Sequence, residues 1–440
     1  MRDRRPAWPL VLLGAWIALG ASIVVPLGGP AWADEPPDAV RIARLVTRLG
    51  SDAYAQREAA GAELAALGGA VRSELEAATR HDDPEVRLRA KQLLRRLRED
   101  DLWQPAKVSF RGRQIAAGEV LAAISRQSGN RLLIGDEYGA FHERTIDADF
   151  AEAGFWQAVD DLCRLSGNRV RPHYDTRHPG LVVVSGPPGK YPTAYAGPVK
   201  MQIQHARRLF SEEFDYEQLR SERSHTFQFD LQAIWEDRFR LMAYRLQPEV
   251  VEAETDTGVR LSAQTMSGGW NIAGSGTKQV TMNVRLQPPP VSARSLKTLR
   301  LRWGLVAVGE LARLEVSDLK TAGPHFQDDL ELVIDDFQAT HGGRCELTLL
   351  LTREAALPEP ADVVFQENEI ELFDPAGRAF RKHGQTNTLS DRGPLLKLSF
   401  SSEDAGSQPQ TLRVTYPRIR SQRDLEIVFR DVPLPAGRPE

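Results

Sequence analysis

The sequence predicts a multidomain chain: an α-helical head, a mixed α/β (α+β) module, and an all-β half built as sandwich domains. Three observations predict it. Apolar residues recur at helical spacing as far as residue 100, a helix–strand unit then occurs twice between residues 107 and 185, and beyond residue 198 the apolar period becomes two. Spacings of three and four keep side chains on one face of a helix, whereas alternation puts them on opposite faces of a strand. A chain of 440 residues is also too long for one core, at about 150 residues per domain.

A different kind of segment precedes the head. Arg2, Arg4 and Arg5 lead into an uncharged stretch from Pro6 to Ala33 whose apolar centre runs from Leu10 to Val25. Pro26, Gly28, Gly29 and Pro30 break a helix there, and Ala31-Trp32-Ala33 puts small residues where a signal peptidase reads. Residues 1–33 are therefore predicted to be a signal peptide cleaved after Ala33. An uncleaved membrane anchor is the alternative, because the stretch is long enough to cross roughly 30 Å of hydrocarbon. Either reading exports the protein to the periplasm or cell envelope. Without those residues the formal charge moves from −4 to −6, and an acidic chain lacks the cationic surface that nucleic-acid binding requires. The local run Arg87, Arg89, Lys91, Arg95, Arg96 and Arg98 reads as the solvated end of a helix, where cations complement the dipole.

The head, residues 34–102, divides into short helices. Val40 to Leu49 is halted by Gly50, a second helix follows a cap at Ser51 or Asp52 and runs to Leu67, and a third covers Ala70 to Arg80. The fourth has Asp83 as N-cap, Pro84 at its first position and an apolar stripe of Val86, Ala90, Leu93, Leu94 and Leu97. The phrases Leu49-Gly50-Ser51-Asp52, Arg57-Glu58-Ala59-Ala60, Leu67-Gly68 and Asp82-Asp83-Pro84-Glu85-Val86-Arg87 resemble HEAT-type helical repeats. That resemblance implies stacked helix pairs. Such stacks need about three units to bury a continuous core, so the head is expected to lean on the next module.

That module, residues 103–186, carries an internal repeat. Val120-Leu-Ala-Ala-Ile-Ser-Arg-Gln-Ser-Gly-Asn-Arg131 aligns without gaps on Ala158-Val-Asp-Asp-Leu-Cys-Arg-Leu-Ser-Gly-Asn-Arg169. Gly129 and Gly167 fall where a helix ends in the left-handed conformation. Strands are expected at Val108–Phe110, Arg131–Ile134 and Thr145–Phe150, with a hairpin from Val170 to Val184 turning near Asp175 to Gly180, and the helices on one face of a small sheet. This order, with Ser-Gly-Asn after each helix, resembles the short N-terminal (STN-like) domain of secretins and TonB-dependent receptors. The resemblance implies a periplasmic interaction domain without enzymatic activity. Unlike those proteins, this chain shows no regular ten-residue hairpins that would continue it into a membrane barrel.

Residues 187–198, with Pro187, Pro188, Pro192 and Pro198, read as a linker. Beyond it, alternation at Phe227, Phe229 and Leu231, at Leu299, Leu301 and Trp303, at Cys345, Leu347 and Leu349, at Leu396, Leu398 and Phe400, and at Leu425, Ile427 and Phe429 marks strands. Turns fall at Asp256-Thr257-Gly258, His341-Gly342-Gly343 and Asp374-Pro375-Ala376-Gly377. Two immunoglobulin-like sandwich domains are predicted, residues 199–322 and 323–437. A single large sandwich, with Pro288-Pro289-Pro290 as an edge or crossover, is the alternative.

Catalytic motifs are missing from the sequence: there is no Gly-x-Ser-x-Gly, no phosphate loop, no His-Glu-x-x-His and no Cys-x-x-Cys. Gly186 to Lys190 only imitates a phosphate loop, since Tyr191 stands where a hydroxyl residue belongs and Pro187 and Pro188 lack amide donors. Cys163 and Cys345 read as separate buried thiols. His173 and His178 bracket a turn without further ligands in sight. Asp328, Asp329, Glu331, Asp335 and Asp336 invite a calcium reading, but a strand separates the two pairs by about 20 Å, so solvated strand ends are expected. Trp235, Trp270 and Trp303 read as core, with a sugar-stacking face centred on Trp270 as the alternative. No catalytic, cofactor-binding or metal-ligating residue is assigned, and no cofactor is expected. The predicted function is that of a non-catalytic exported envelope protein, an interaction or scaffold module that binds other envelope proteins through residues 38–185. The alternatives are a cell-wall glycan binder using the sandwiches and a hydrolase whose active site goes unrecognised.

Overall fold

The structure, a computed structural model, describes residues 39–435 apart from 136–138, 174–179, 265–267, 274–276, 321–322, 341, 354–368, 392 and 405. The predicted signal segment, residues 1–33, lies outside the described residues. The chain forms two compact units, the first ending at Arg87 and the second beginning at Leu88.

The first unit holds α1 (Ala39–Arg48), α2 (Tyr54–Ala66), a 3-10 turn at Gly68–Val71, α3 (Arg72–Ala78) and the first turn of α4 (Pro84–Trp103). Its core is Ile42, Leu45, Leu49, Leu64, Val71 and Leu75. Asp83 caps α4 as expected, accepting a hydrogen bond from the Glu85 amide at 2.8 Å. Neither Ser51 nor Asp52 caps α2, whose N-cap is Ala53. Instead Arg57 reaches back and donates to the Ser51 and Asp52 carbonyls at 2.7 and 3.0 Å. Arg87 does the same to the carbonyls of His81 and Asp82, at 2.7 Å each. This shared turn device is what the repeated phrase encodes, and the HEAT-type resemblance does not hold. Strand makes up 53% of the described residues and helix 23%, and after α4 the chain turns to β structure before any stack of helix pairs is built.

The second unit opens with an α/β module. Its elements are β1 (Lys107–Ala116), α5 (Ala117–Ser128), β2 (Leu132–Ile134), α6 (Gly139–Glu143), β3 (Thr145–Gly154), α7 (Phe155–Ser166), β4 (Asn168–His173) and β5 (Gly180–Ser185). Val120, Ile124, Phe155, Val159 and Leu162 form one apolar face of the repeated helices and are fully enclosed. Gly129 and Gly167 end those helices at φ of 68° and 67°. The strands differ from expectation, because they make two small sheets rather than one. β1 pairs antiparallel with β3, while β5 pairs with β2 in parallel and with β4 antiparallel. The module's core is completed by Ile234, a residue of the β half.

Beyond Ser185 the first strands are β6 (Thr193–Ala196), β7 (Val199–Asp215), β8 (Arg220–Trp235), β9 (Arg240–Arg245) and β10 (Glu249–Thr255). Next come β11 (Trp270–Ile272), β12 (Gln279–Leu286), β13 (Ser295–Val316), β14 (Pro324–Gln327) and β15 (Leu330–Thr340). The last are β16 (Arg344–Arg353), β17 (Glu369–Phe373), β18 (Arg381–Ser390), β19 (Gly393–Ser401) and β20 (Thr411–Pro433). They form three antiparallel sheets, β12-β8-β7-β6, β14-β15-β16-β19-β18, and β11-β9-β13-β20-β17 with β10 added on β13.

The central pair β13 and β20 changes the expected domain division. One core joins Phe227, Phe229 and Leu231 to Leu299, Leu301, Trp303 and Ile427. The other joins Leu347, Leu349 and Leu398 to Leu314, Leu412 and Val414. Strands β13 and β20, of 22 and 23 residues, are paired from Ser295↔Pro433 to Val316↔Leu412 and so run through both cores. A cut at residue 322 therefore separates neither core from the other. Inward-facing positions on β13 shift from odd numbers (Leu299, Leu301, Trp303) to even ones (Ala312, Leu314, Val316) across Glu310, whose φ of 24° breaks the alternation.

The proline-rich segment is not a free linker either. Thr193–Ala196 is a strand hydrogen-bonded to β7, and the Trp156 indole donates to the Pro198 carbonyl at 3.0 Å. Nearby, Glu236 is fully enclosed and accepts from the Ala106 amide at 3.0 Å, the Asn130 side chain at 3.0 Å and Arg238 Nε at 2.7 Å. A buried carboxylate is tolerated only with such complete pairing, and here the pairing ties the α/β module to the β half.

Candidate functional site

Most residues that the sequence singles out are placed in structural roles. Cys163 and Cys345 are free thiols buried in different cores. Burial pushes the Cys163 thiol up to about 12, with Asp160 adding and Lys200 opposing. Burial likewise takes Cys345 to about 11. Both are protonated at neutral pH, and a thiol rather than a thiolate is a poor nucleophile and metal ligand. His178 lies outside the described residues. Among the described residues no cluster of three His, Cys, Asp or Glu side chains is placed to hold a metal ion.

Asp328, Asp335 and Asp336 are exposed, as expected of solvated strand ends, whereas the Asp329 side chain is largely enclosed, and both Asp328 and Asp329 have partners. Asp328 accepts from the Tyr416 hydroxyl at 2.7 Å and from Arg418 Nε at 2.9 Å, and Asp329 pairs with the enclosed Arg353 at 2.7 Å. Desolvation alone would raise the Asp328 carboxyl, but the hydrogen bonds from Tyr416 and Arg418 outweigh it and hold the group below its ordinary value. Of the arginine run, Arg98 pairs with Glu310 at 3.4 Å.

Trp235 and Trp303 are core residues, as read. Trp270 belongs to strand β11, and the Arg245 guanidinium stacks 4.9 Å from its ring centroid. A polar pocket of about 440 Å³ adjoins Arg245, lined among others by Gln264, Asn283, Arg285, Arg302 and Asp424. Arginine covers the ring that a sugar would have to stack on, which weakens the aromatic-platform reading.

A second feature escaped the sequence reading. Strands β7 and β8 continue past their neighbours: β6 pairs with β7 only as far as Gln202, and β12 pairs with β8 only from Phe227 onward. From Leu209↔Thr226 to Asp215↔Arg220 the two strands pair with each other alone. Seven residue pairs make a ribbon about 20 Å long at the strand rise. Asp215 fixes its tip, accepting from the amides of Glu217 and Gln218 at 2.8 and 3.0 Å. On this ribbon Phe210 is 70% exposed, Tyr216 83% and Leu219 74%. Phe210 stands edge-on to His225 and Phe214 edge-on to Tyr216, with centroids 4.5 and 5.1 Å apart. The segment hides in the sequence because charged residues crowd it and Phe210 and Phe214 sit four apart, a helical spacing.

At the root of this arm, Phe210 and His225 face Pro288, Pro289, Pro290 and Val291 across an apolar groove of about 580 Å³. Three consecutive prolines fit there because no ladder hydrogen bond is asked of them.

Comparison with known protein families, curated proteins and solved structures finds no match. The resemblance to secretin and TonB-receptor short N-terminal domains therefore falls with the helical-repeat one. The two separate sheets, the added α6 and a core closed by Ile234 are the structural points at which this module departs from a free-standing domain.

Proposed function

We propose that this is a non-catalytic, exported cell-envelope protein that docks another protein through the β7–β8 arm. The observation that supports it is the ordered ribbon with Phe210, Phe214, Tyr216 and Leu219 in solvent. Single exposed apolar residues are ordinary, but a cluster of aromatic side chains on a projecting ribbon is the mark of an interaction surface. Burying each large side chain would contribute about 1.5–3 kcal/mol. An isolated two-stranded ribbon is also marginal in water without something to pack on. Between residues 209 and 226 the sequence carries five acidic residues and two arginines, so charge complementarity favours a partner with an apolar groove rimmed by basic residues. The α/β module is less suited to this role than the sequence implied, because its core and its polar groups are engaged by Ile234 and Glu236. Export rests on the charge and hydropathy pattern of residues 1–33.

A photo-crosslinking residue at position 216, in the full chain in its native cell, tests the reading. One envelope protein should be captured, and the capture should vanish when Phe214 and Leu219 are both replaced by Ser. Absence of a cross-link, or one indifferent to those changes, would refute the arm as the docking surface. A second reading, binding of cell-wall glycan, has the polar pocket beside Arg245 and Trp270 in its favour. Pull-down on purified glycan with Trp270→Ala as control separates the two.

A further inference from the structure

We infer that the partner docked by the arm contributes an extended strand, apolar and basic residues alternating along it, that adds to the outer edge of β7. This deepens the docking reading and rests on it. Past Gln202 no strand among the described residues pairs with that edge, and from Leu209 to Asp215 β7 is paired with β8 alone. Every second residue of an antiparallel strand turns its N–H and C=O away from the neighbour it is bonded to. This stretch of about 20 Å at the strand rise therefore offers main-chain groups to an incoming strand. A third strand supplies what the ribbon lacks, since two strands alone are marginal in water, and addition at a free edge is a general way for peptides to join sheets.

The side chains decide which edge is used and what it accepts. Phe210, Glu212 and Phe214 share one face of β7: Phe210 stands edge-on to its cross-strand partner His225, and Glu212 accepts from Ser221 at 2.6 Å and from Arg223 at 3.1 Å. Leu209, Ser211, Glu213 and Asp215 alternate onto the opposite face, where Glu213 is exposed. From Leu209 to Asp215, β7 has carboxylates at Glu212, Glu213 and Asp215 and no cation, whereas β8 from Arg220 to Thr226 has two arginines against one glutamate. A strand lying about 4.8 Å beyond β7 sets one row of side chains beside Phe210 and Phe214 and the other beside Glu213 and Asp215. Apolar residues suit the first row and lysine or arginine the second. The same charges argue against a second copy of this chain as the occupant. Two β7 edges laid side by side would set carboxylate against carboxylate, the arrangement by which edges resist self-pairing.

Fluorescence anisotropy on the full chain tests the inference with labelled heptapeptides in which Val and Lys alternate. The parent peptide is compared with one isomer N-methylated at its lysines, one N-methylated at its valines, and a counterpart with Glu in place of Lys. In an added strand only one of the two residue sets turns its N–H groups toward β7. One methylated isomer should therefore bind like the parent and the other about tenfold or more weakly, as for the loss of a few hydrogen bonds. The Glu counterpart should also bind about tenfold more weakly than the parent, and Glu213→Lys, at an exposed position, should erase that preference. A photo-crosslinking residue at position 211 should join the parent peptide, and one at position 224, across the ribbon from it, should not. No binding, equal affinities of the two methylated isomers, a charge preference that survives Glu213→Lys, a cross-link from position 224, or one at 211 that joins two copies of the chain would overturn the assignment. Capture of a native protein through position 216 does not depend on main-chain bonding, so strand addition can fail while the docking reading stands.

Discussion

Gly129 and Gly167 close α5 and α7 with φ of 68° and 67°, a conformation that costs a residue with a β-carbon. At Gly129 an added β-carbon would meet nothing, so the cost there is purely backbone. At Gly167 it would come within 3.2 Å of Arg144 Nη1. Each Gly→Ala change should therefore destabilise by about 1 kcal/mol, measured by urea unfolding, with the second slightly the larger. Asp328 gives a pH-dependent counterpart. Its carboxyl is held below the ordinary value in the fold, so its contribution is fully present above the unfolded value of about 3.9 and is lost as pH falls through the folded one. Asn tolerates the φ of 55° at this position, and Asp328→Asn should be less stable than the parent at neutral pH. That gap should close on acidification; a gap independent of pH would show that the ionised carboxylate contributes nothing.

Elements in this protein are held by a few well-paired groups. Glu236 is the clearest, since its loss takes the acceptor from Arg238 Nε, the Asn130 side-chain amide and the Ala106 amide. Glu236→Ala should cost about 3–5 kcal/mol, and Glu236→Gln, which keeps the acceptor oxygen, distinctly less. The arm behaves in the opposite way. Phe214→Ser with Leu219→Ser should change stability by no more than about 0.5 kcal/mol, as for exposed positions, whereas Phe229→Ala in the core should cost about 3–5 kcal/mol. Denaturant melts of the double variant and of Phe229→Ala decide whether the arm's apolar residues serve the fold or something outside it.

At the scale of the whole molecule, the shared strands β13 and β20 join the two sandwich cores covalently and by hydrogen bonds. Trp103 adds to this from outside the β half: it is buried with Met201 and Phe239, and its indole donates to Ser421 at 2.9 Å. Residues 197–440 alone would lose Trp103 and expose Ile234. That fragment should show no sharp thermal transition, whereas the full chain should unfold residues 88–435 in one calorimetric step whose van't Hoff and measured enthalpies agree. A fragment that melts sharply by itself would mean the cores are separable.

What the sequence determined by itself is local. The left-handed glycines, the Asp83 cap, the buried thiols and the alternating core strands follow from backbone sterics and from the period of apolar residues, which neighbours in the chain set among themselves. Only the tertiary structure decided that β13 and β20 serve two cores, that part of the proline-rich segment is a strand, that Glu236 joins module to sandwich, and that a charged stretch folds as a projecting ribbon. Each of these depends on a partner distant along the chain, and no periodicity records which distant residue will complete a hydrogen bond or fill a core. The same reason explains the two family resemblances that failed: an arginine bracing a helix start and a Ser-Gly-Asn helix end are local devices, free to recur in folds that pack them differently.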